Sequence, residues 1–204
     1  FSILAHDLKG PFSSLLGFSE FLVNDFEELT LNEIKAYSIN IHESTKNTFK
    51  LLENLLEWGR IQRNTIELDF QNFNLYDKVI KVVELYSMEL KKKNISLEVN
   101  VDKNTIVYAD KNTILTVIRN LFSNAIKFCK EGDVILIFSI KKNNNIEISV
   151  SDSGVGMAEE DLAKLFRIDV HHTSVGTAQE RGTGLGLILC KELLVKNNGD
   201  IKVE

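Results

Sequence analysis

The sequence predicts a multidomain chain: an all-α helical hairpin forming a dimeric four-helix bundle, followed by an α+β sandwich. Two observations predict it. Up to about Arg63 no strand-like alternation occurs, and apolar residues recur at steps of 3 and 4. From about Asn94 the pattern changes, and "ISLEVNV" and "NIEISVSD" alternate with period 2. The expected division is 1–64 for the hairpin and 65–204 for the sandwich, with 64–73 as connector.

The first helical segment aligns Leu4, Leu8, Leu15, Leu22 and Phe26, interrupted by "KGP" at 9–11. Proline inside a helix costs about 3 kcal/mol, so a bendable turn is expected at Pro11, freeing the Asp7 carbonyl. After "NDFEELT", Thr30 with Glu33 three residues on forms a capping-box signature. The second segment reads Ile34, Tyr37, Ile41, Thr45, Thr48, Leu52, Leu55, Trp58 and Gln62, a heptad seam. A helix over 31–63 is roughly 50 Å long. Two such helices cannot bury their seams alone, and a homodimer of hairpins is the economical solution.

In the second half, helices are expected at about 75–92, 110–129, 158–166 and 184–196, with "DVILIFSI" a more buried strand. "KKNNNIE" is a hairpin turn. Phe1 falls inside an apolar helical pattern and "GDIKVE" reads as a strand just starting, so both ends are expected to be cut from a longer protein.

A net charge of −5 argues weakly against a nucleic-acid surface, which needs clustered Lys and Arg. No apolar run approaches the ~20 residues of a membrane span, and no secretory signal is visible. Cys129 and Cys190 lie in apolar helical stretches without metal-type spacing, as buried reduced thiols do in the cytosol.

Three constellations carry chemistry. In "NLFSNAIKF", Ile114, Ile118, Leu121, Ala125 and Phe128 form the expected core face, while Asn120, Asn124 and Lys127 form a polar stripe at i, i+4 and i+7. Two carboxamides and an ammonium suit a metal–phosphate group, although a solvated helix face gives the same pattern. In "DSGVGM", Asp152 ends a strand, where a buried carboxylate accepts a hydrogen bond from an exocyclic amine; Gly154 and Gly156 allow close backbone approach. A plain turn is the equal alternative. In "RGTGLGL", Gly182, Gly184 and Gly186 leave amides free at a helix start, a phosphate cradle that matches neither the dinucleotide nor the P-loop spacing. The preceding "RIDVHHTSVGTAQER" (167–181) has little apolar content and reads as a mobile lid.

In order and spacing, these segments resemble the two-component sensor histidine kinases. "HDLKGP" is similar to their phosphoacceptor box, and the other three to their nucleotide boxes on a Bergerat-type ATP-binding fold. The resemblance covers essentially the whole chain. It implies an ATP-dependent protein-histidine autokinase that passes its phosphoryl group to an Asp of a response-regulator receiver domain.

Carried over by residue, it implies His6 as phosphoacceptor with Asp7 orienting the ring or taking its proton. Asn124 becomes the Mg²⁺ ligand, with Asn120, Lys127 and, as a weaker match, Arg167 near the phosphates. Phe128 lies by the nucleotide or in the core; Asp152 takes the adenine amino group with Gly154 and Gly156 beside it. Gly182, Thr183, Gly184 and Gly186 line the phosphates. His6 stands two residues from both Leu4 and Leu8, which turns it to solvent. Residues i and i+1 do not face each other on a helix, so the Asp7 contact is expected only on docking of the ATP domain. The family often has Thr or Asn where this chain has Gly10, so phosphatase activity is not implied. His42, His171 and His172 are expected to be ordinary surface residues.

The implied setting is cytoplasmic, in a parent protein either membrane-anchored or soluble, with an upstream sensor domain outside this chain and no membrane contact by this part. An ATP-binding conformational switch or scaffold of the same superfamily, without phosphotransfer, is the competing reading. The "HDLKGP" box on a dimerisation helix argues against it.

Overall fold

A computed structural model of the chain describes residues 2–63, 67–167, 175–178, 180, 182 and 184–204, with side chains from Leu8 onward. Helix α1 (Ser2–Asn24) continues through Pro11 as one element. Helix α2 (Leu31–Gln62) starts at the expected capping box: Glu33 N–H donates to Thr30 Oγ1 at 3.3 Å, and Thr30 N–H donates to Glu33 Oε2 at 2.8 Å. Such a cap contributes about 1 kcal/mol. Tyr37 stacks on Phe21 and tilts against Phe18, holding the two helices together near the loop.

The seam of α2 departs from expectation at one step. Leu51 is 3% exposed and Leu52 is 46% exposed. Steps of 3 and 4 leave either leucine in phase with a heptad. The choice is made by α7 (Gly186–Lys196), whose start packs against Leu51 through Leu185 and Ile188. Leu52 falls instead on a second apolar stripe with Phe49 and Leu56, exposed alongside Phe12, Leu16 and Val23 of α1.

Beyond the hairpin come β1 (Phe70–Asn74), α3 (Leu75–Leu85), α4 (Ser87–Lys92), β2 (Ser96–Asn100), β3 (Ile106–Asp110) and α5 (Lys111–Phe128). Then follow β4 (Val134–Lys142), β5 (Asn145–Asp152), α6 (Glu159–Leu162) and α7. A mixed sheet has the order β2-β4-β5, parallel between β2 and β4 and antiparallel between β4 and β5. The β4–β5 turn falls where "KKNNNIE" places it, with Asn143 in the left-handed region at φ 53°.

A second, two-stranded ribbon pairs β1 with β3, from Phe70↔Asp110 to Asn74↔Ile106. It corrects the reading of 64–73 as a bare connector. "FQNFN" has three amides among five residues and gives no clean alternation, so pairing with a distant segment makes it a strand. Residues 201–204, expected to begin a strand, carry none.

The core lies between the sheet and helices α3 and α5, around Val79, Val82, Ile118, Phe122, Ile135 and Ile137. Phe122 is fully buried and meets Tyr86 edge-on, with centroids 5.7 Å apart. The face expected for α5 is therefore too narrow and partly misplaced. Ile118, Phe122, Ala125 and Ile126 enter the sheet core, whereas Val117 and Leu121 pack with α7 residues Leu189, Cys190 and Leu193 and with Ile61 of α2. A helix enclosed on two sides has no single apolar stripe. Phe128 is only half-buried and lies outside the buried clusters.

The ribbon positions α5. Asp110 caps it, accepting from Thr113 N–H at 2.7 Å and from Asp69 N–H at 2.9 Å. Burial pushes the Asp110 carboxyl up, but these hydrogen bonds outweigh it and hold the pKa below its usual value. Asp110 N–H also donates to Asn197 Oδ1 at 2.8 Å, tying the far end of α7 to the start of α5. Cys129 and Cys190 are buried free thiols, as expected, pushed by burial to about 11 and about 12 respectively.

Candidate nucleotide site

The C-terminal end of α5 gathers the three constellations. Its second half carries Asn120, Asn124, Lys127 and Phe128, all half-buried. On one side comes the loop after β5, where Val155 N–H donates to the Phe128 carbonyl at 3.2 Å. Gly154 sits so close that a Cβ there would stand 2.6 Å from that carbonyl oxygen and 2.8 Å from Asp152 Oδ1. Only glycine fits this approach. Gly156 follows in the left-handed region at φ 66°.

On the other side comes the segment before α7. A Cβ on Gly186 would be 3.1 Å from Asn120 Oδ1, and one on Gly182 would be 2.8 Å from Lys127 Nζ. The glycine segment thus runs directly past the carboxamide and the ammonium. Gly184 turns through φ 69° between them. Asn120 Nδ2 donates to the Thr116 carbonyl at 3.1 Å, which leaves its oxygen directed at the start of α7. That start has no side-chain cap: Leu185 occupies the N-cap and offers the first-turn amides nothing.

Burial lowers the Lys127 pKa; Glu180 opposes the shift, while Lys50 and Lys93 reinforce it. Its ammonium lies 4.5 Å from the centroid of the Phe128 ring. A partly desolvated ammonium among other cations gains most when a polyanion arrives.

Asp152 differs from expectation. It is exposed rather than buried, and its Oδ1 accepts from Gly154 N–H at 3.0 Å. An Asp two residues before a glycine closes its own turn, and this local bond orients the carboxylate. Arg167 is exposed in the turn after α6, its N–H donating to the Lys164 carbonyl at 3.0 Å. Thr183, most of the 167–181 segment including His171 and His172, and the side chains of His6 and Asp7 lie outside the described residues.

One residue of the site is illegible in the sequence. Lys93, at the C-cap of α4, directs its ammonium to the Ile126 carbonyl at 2.9 Å, the Lys127 carbonyl at 3.2 Å and Thr177 Oγ1 at 3.0 Å. It also pairs with Glu180 at 2.7 Å. Three consecutive lysines at 91–93 read as a charged helix end, and nothing in their pattern singles out the third. Only the left-handed Asn94 that follows, at φ 51°, marks the stop that turns Lys93 inward.

For a metal, the described residues hold no cluster of three or more His, Cys, Asp or Glu side chains. Asn120 and Asn124 supply neutral hard oxygens at one helical face, a donor set suited to Mg²⁺, which keeps waters and takes its remaining ligands from phosphate. The residues present fit that ion together with a nucleotide.

The hairpin meets this site. Leu8 of α1 packs with Leu51 and Leu55 of α2 and with Leu185 and Ile188, one and four residues after Gly184. No helix among the described residues is long and apolar enough to cross a membrane.

Residues 109–204 match the family model described as histidine kinase-, DNA gyrase B- and HSP90-like ATPase. The chain is 30% identical over 98% of its length to the non-motile and phage-resistance protein of Caulobacter vibrioides, of which it spans 24%. Among solved structures, the catalytic domain of histidine kinase ThkA is 31% identical with a TM-score of 0.56, covering 63% of this chain and 83% of that one. ThkA in complex with the response regulator TrrA is 26% identical with a TM-score of 0.73, covering 97% of this chain and 54% of that one. The order of elements, the boxes converging on α5 and these likenesses agree: the chain belongs to the two-component sensor histidine kinase family.

Proposed function

We propose that this chain is the kinase core of a sensor protein: an ATP-dependent autokinase that phosphorylates His6 and passes the phosphoryl group to an Asp of a receiver domain. The observation that carries it is the convergence of Asn120, Lys127, the 154–156 loop and Gly182–Gly186 on one helix end, with α1 packed against the start of α7 through Leu8. Residues 65–204 act as the ATP-binding domain. Residues 1–64 act as the phosphoacceptor hairpin, paired with a second copy through Phe12, Leu16, Phe49, Leu52 and Leu56.

In this reading Lys127, Asn120 and the amides around Gly182, Gly184 and Gly186 hold the triphosphate, with Thr183 and Arg167 contributing, and Asp152 accepts from the adenine amino group. Phe128 flanks the nucleotide. Mg²⁺, bound through Asn124, supplies charge neutralisation at the phosphates. Phosphoryl transfer is chiefly positioning and electrostatics, which is what these residues offer.

A neutral imidazole needs little activation near pH 7. One ring nitrogen of His6 attacks the γ-phosphorus, the bond to the β,γ-bridging oxygen breaks and ADP leaves. The proton on the other ring nitrogen passes to Asp7. In the second step the other ring nitrogen takes back its proton from Asp7, a receiver carboxylate attacks the phosphorus, the N–P bond breaks and its electron pair returns to the now neutral imidazole. The complex of ThkA with a response regulator supports a receiver as partner; in this reading it docks on the hairpin near His6. A reaction that consumes ATP belongs in the cytoplasm.

The test is incorporation of label from γ-labelled Mg-ATP. An acid-labile, alkali-stable label that His6→Ala and Asn124→Ala both abolish is expected. ATP binding without label would instead favour the switch reading.

A further inference from the structure

The last carbonyls of α5 form the negative end of a helix, where a carboxylate is repelled. Yet Glu180 sits there, its carboxylate brought in by a tight turn. Gly176 N–H donates to the Glu180 carbonyl at 2.8 Å, and Ala178 N–H donates to Glu180 Oε2 at 2.8 Å. Thr177 anchors the same turn to the helix: its N–H donates to the Lys127 carbonyl at 3.1 Å and its hydroxyl to the Cys129 carbonyl at 2.5 Å. Gly176 is buried, and a Cβ there would meet Lys127 Cγ at 2.6 Å, so the turn lies hard against the lysine stem.

What reconciles the carboxylate with the helix end is Lys93. Its ammonium stands between them, bonded to α5 carbonyls on one side and to Glu180 and Thr177 on the other, with its side chain only 14% exposed. Three N–H groups serve at least four acceptors, so the cation is fully engaged. Burial would raise the Glu180 pKa, but hydrogen bonds from Lys93 and from backbone amides hold it below its usual value.

We propose that Lys93 is a positioning residue for the nucleotide site, an ammonium latch that fastens the 176–180 turn to the C-terminal end of α5. The latch acts through Lys127 and Gly182: the turn flanks the Lys127 stem on one side and leads into the glycine segment on the other. This role rests on the reading of the site as one for ATP. With Lys93 removed, Glu180 faces bare helix carbonyls and the turn is pushed off; with Glu180 neutralised as well, that repulsion disappears.

The test compares Lys93→Met, Lys93→Arg, Glu180→Gln and the Lys93→Met/Glu180→Gln pair in the whole chain. It reads amide hydrogen exchange and the equilibrium affinity for Mg-ATP. Lys93→Met is expected to speed exchange at Gly176 and Thr177 and to weaken ATP binding, each by about tenfold, the scale of a lost charge-assisted bond. Exchange within α5 stays unchanged. Lys93→Arg retains most of the affinity. Glu180→Gln weakens binding alone but improves it in the Lys93→Met background, a reversal that a purely structural lysine does not give.

Unchanged exchange at 176–177, unchanged ATP affinity, or additive losses in the pair would overturn the latch. Should Lys93→Met fail to fold, Glu180→Gln carries the test: it must speed exchange at 176–177 while Lys93→Arg stays near the wild-type rate, and no shift in Glu180→Gln refutes the latch. A wild-type chain that binds no ATP would sink the nucleotide reading instead, while the exchange data still decide whether the latch exists.

Discussion

The two halves of the molecule solve the burial problem differently. The sheet and its helices enclose Val79, Phe122, Ile135 and Ile137 completely, using residues of this half alone. The hairpin's buried side chains, Leu51 and Ile61 among them, are covered largely by α7 and α5, and a whole stripe from Phe12 to Leu56 stays exposed. One half carries its own core; the other borrows cover on one face and leaves the second exposed. In the function proposed above, chemistry divides along the same line: the nucleotide site lies within the self-sufficient half, and the phosphoacceptor on the other.

Four substitutions or conditions break or sharpen this contrast. The largest effect belongs to Phe122→Ala, which empties the centre of the sheet core. It should cost about 3–5 kcal/mol in chemical denaturation and abolish ATP binding as the α/β half melts. If that half remains folded and stable, its core is not where we place it.

Replacing Phe49 and Leu52 together by Glu should leave the fold of the α/β half intact and weaken self-association by at least about tenfold in sedimentation, since each exposed apolar side chain is worth about 1.5–3 kcal/mol once buried. Unaltered association would mean the stripe is not the dimer face. Thr30→Ala removes one cap and should lower hairpin stability by about 1 kcal/mol, measurable as helicity lost on heating, with no change in the affinity for ATP.

The smallest effect is that of acid on the 176–180 turn. The Glu180 pKa is depressed in the folded chain, so its contribution is present above the ordinary carboxylate range and is lost as pH falls through the lower, folded value. Exchange at Gly176 should therefore quicken on acidification beyond its intrinsic pH dependence. In Glu180→Gln that extra increment should vanish.

Much of this was legible in residue order, for identifiable reasons. Thr30 with Glu33 announces a helix start because capping is local chemistry, and the structure places it there. The period-2 runs of β2 and β5 and the Asn-rich turn are equally local. Long-range choices were not readable. Leu51 rather than Leu52 is decided by α7, about 135 residues downstream in a seam that permits both. The strand at Phe70–Asn74 exists because Ile106–Asp110 pairs with it, and Phe122 is central because α5 is enclosed on two sides.

At the site, Asn120, Lys127 and the glycines were visible from spacing, since a helix stripe and alternate glycines leave a periodic trace. Lys93 left none. Its partners are 33 to 87 residues away, and in sequence it is one lysine among three.

The central claim is tested most directly by locating the phosphoryl group itself. After incubation with Mg-ATP at alkaline-quench conditions, peptide mass spectrometry should find one modification, on the peptide carrying His6, and none on those carrying His42, His171 or His172. Phosphate on another histidine, or none on a chain that demonstrably binds ATP, would contradict the account.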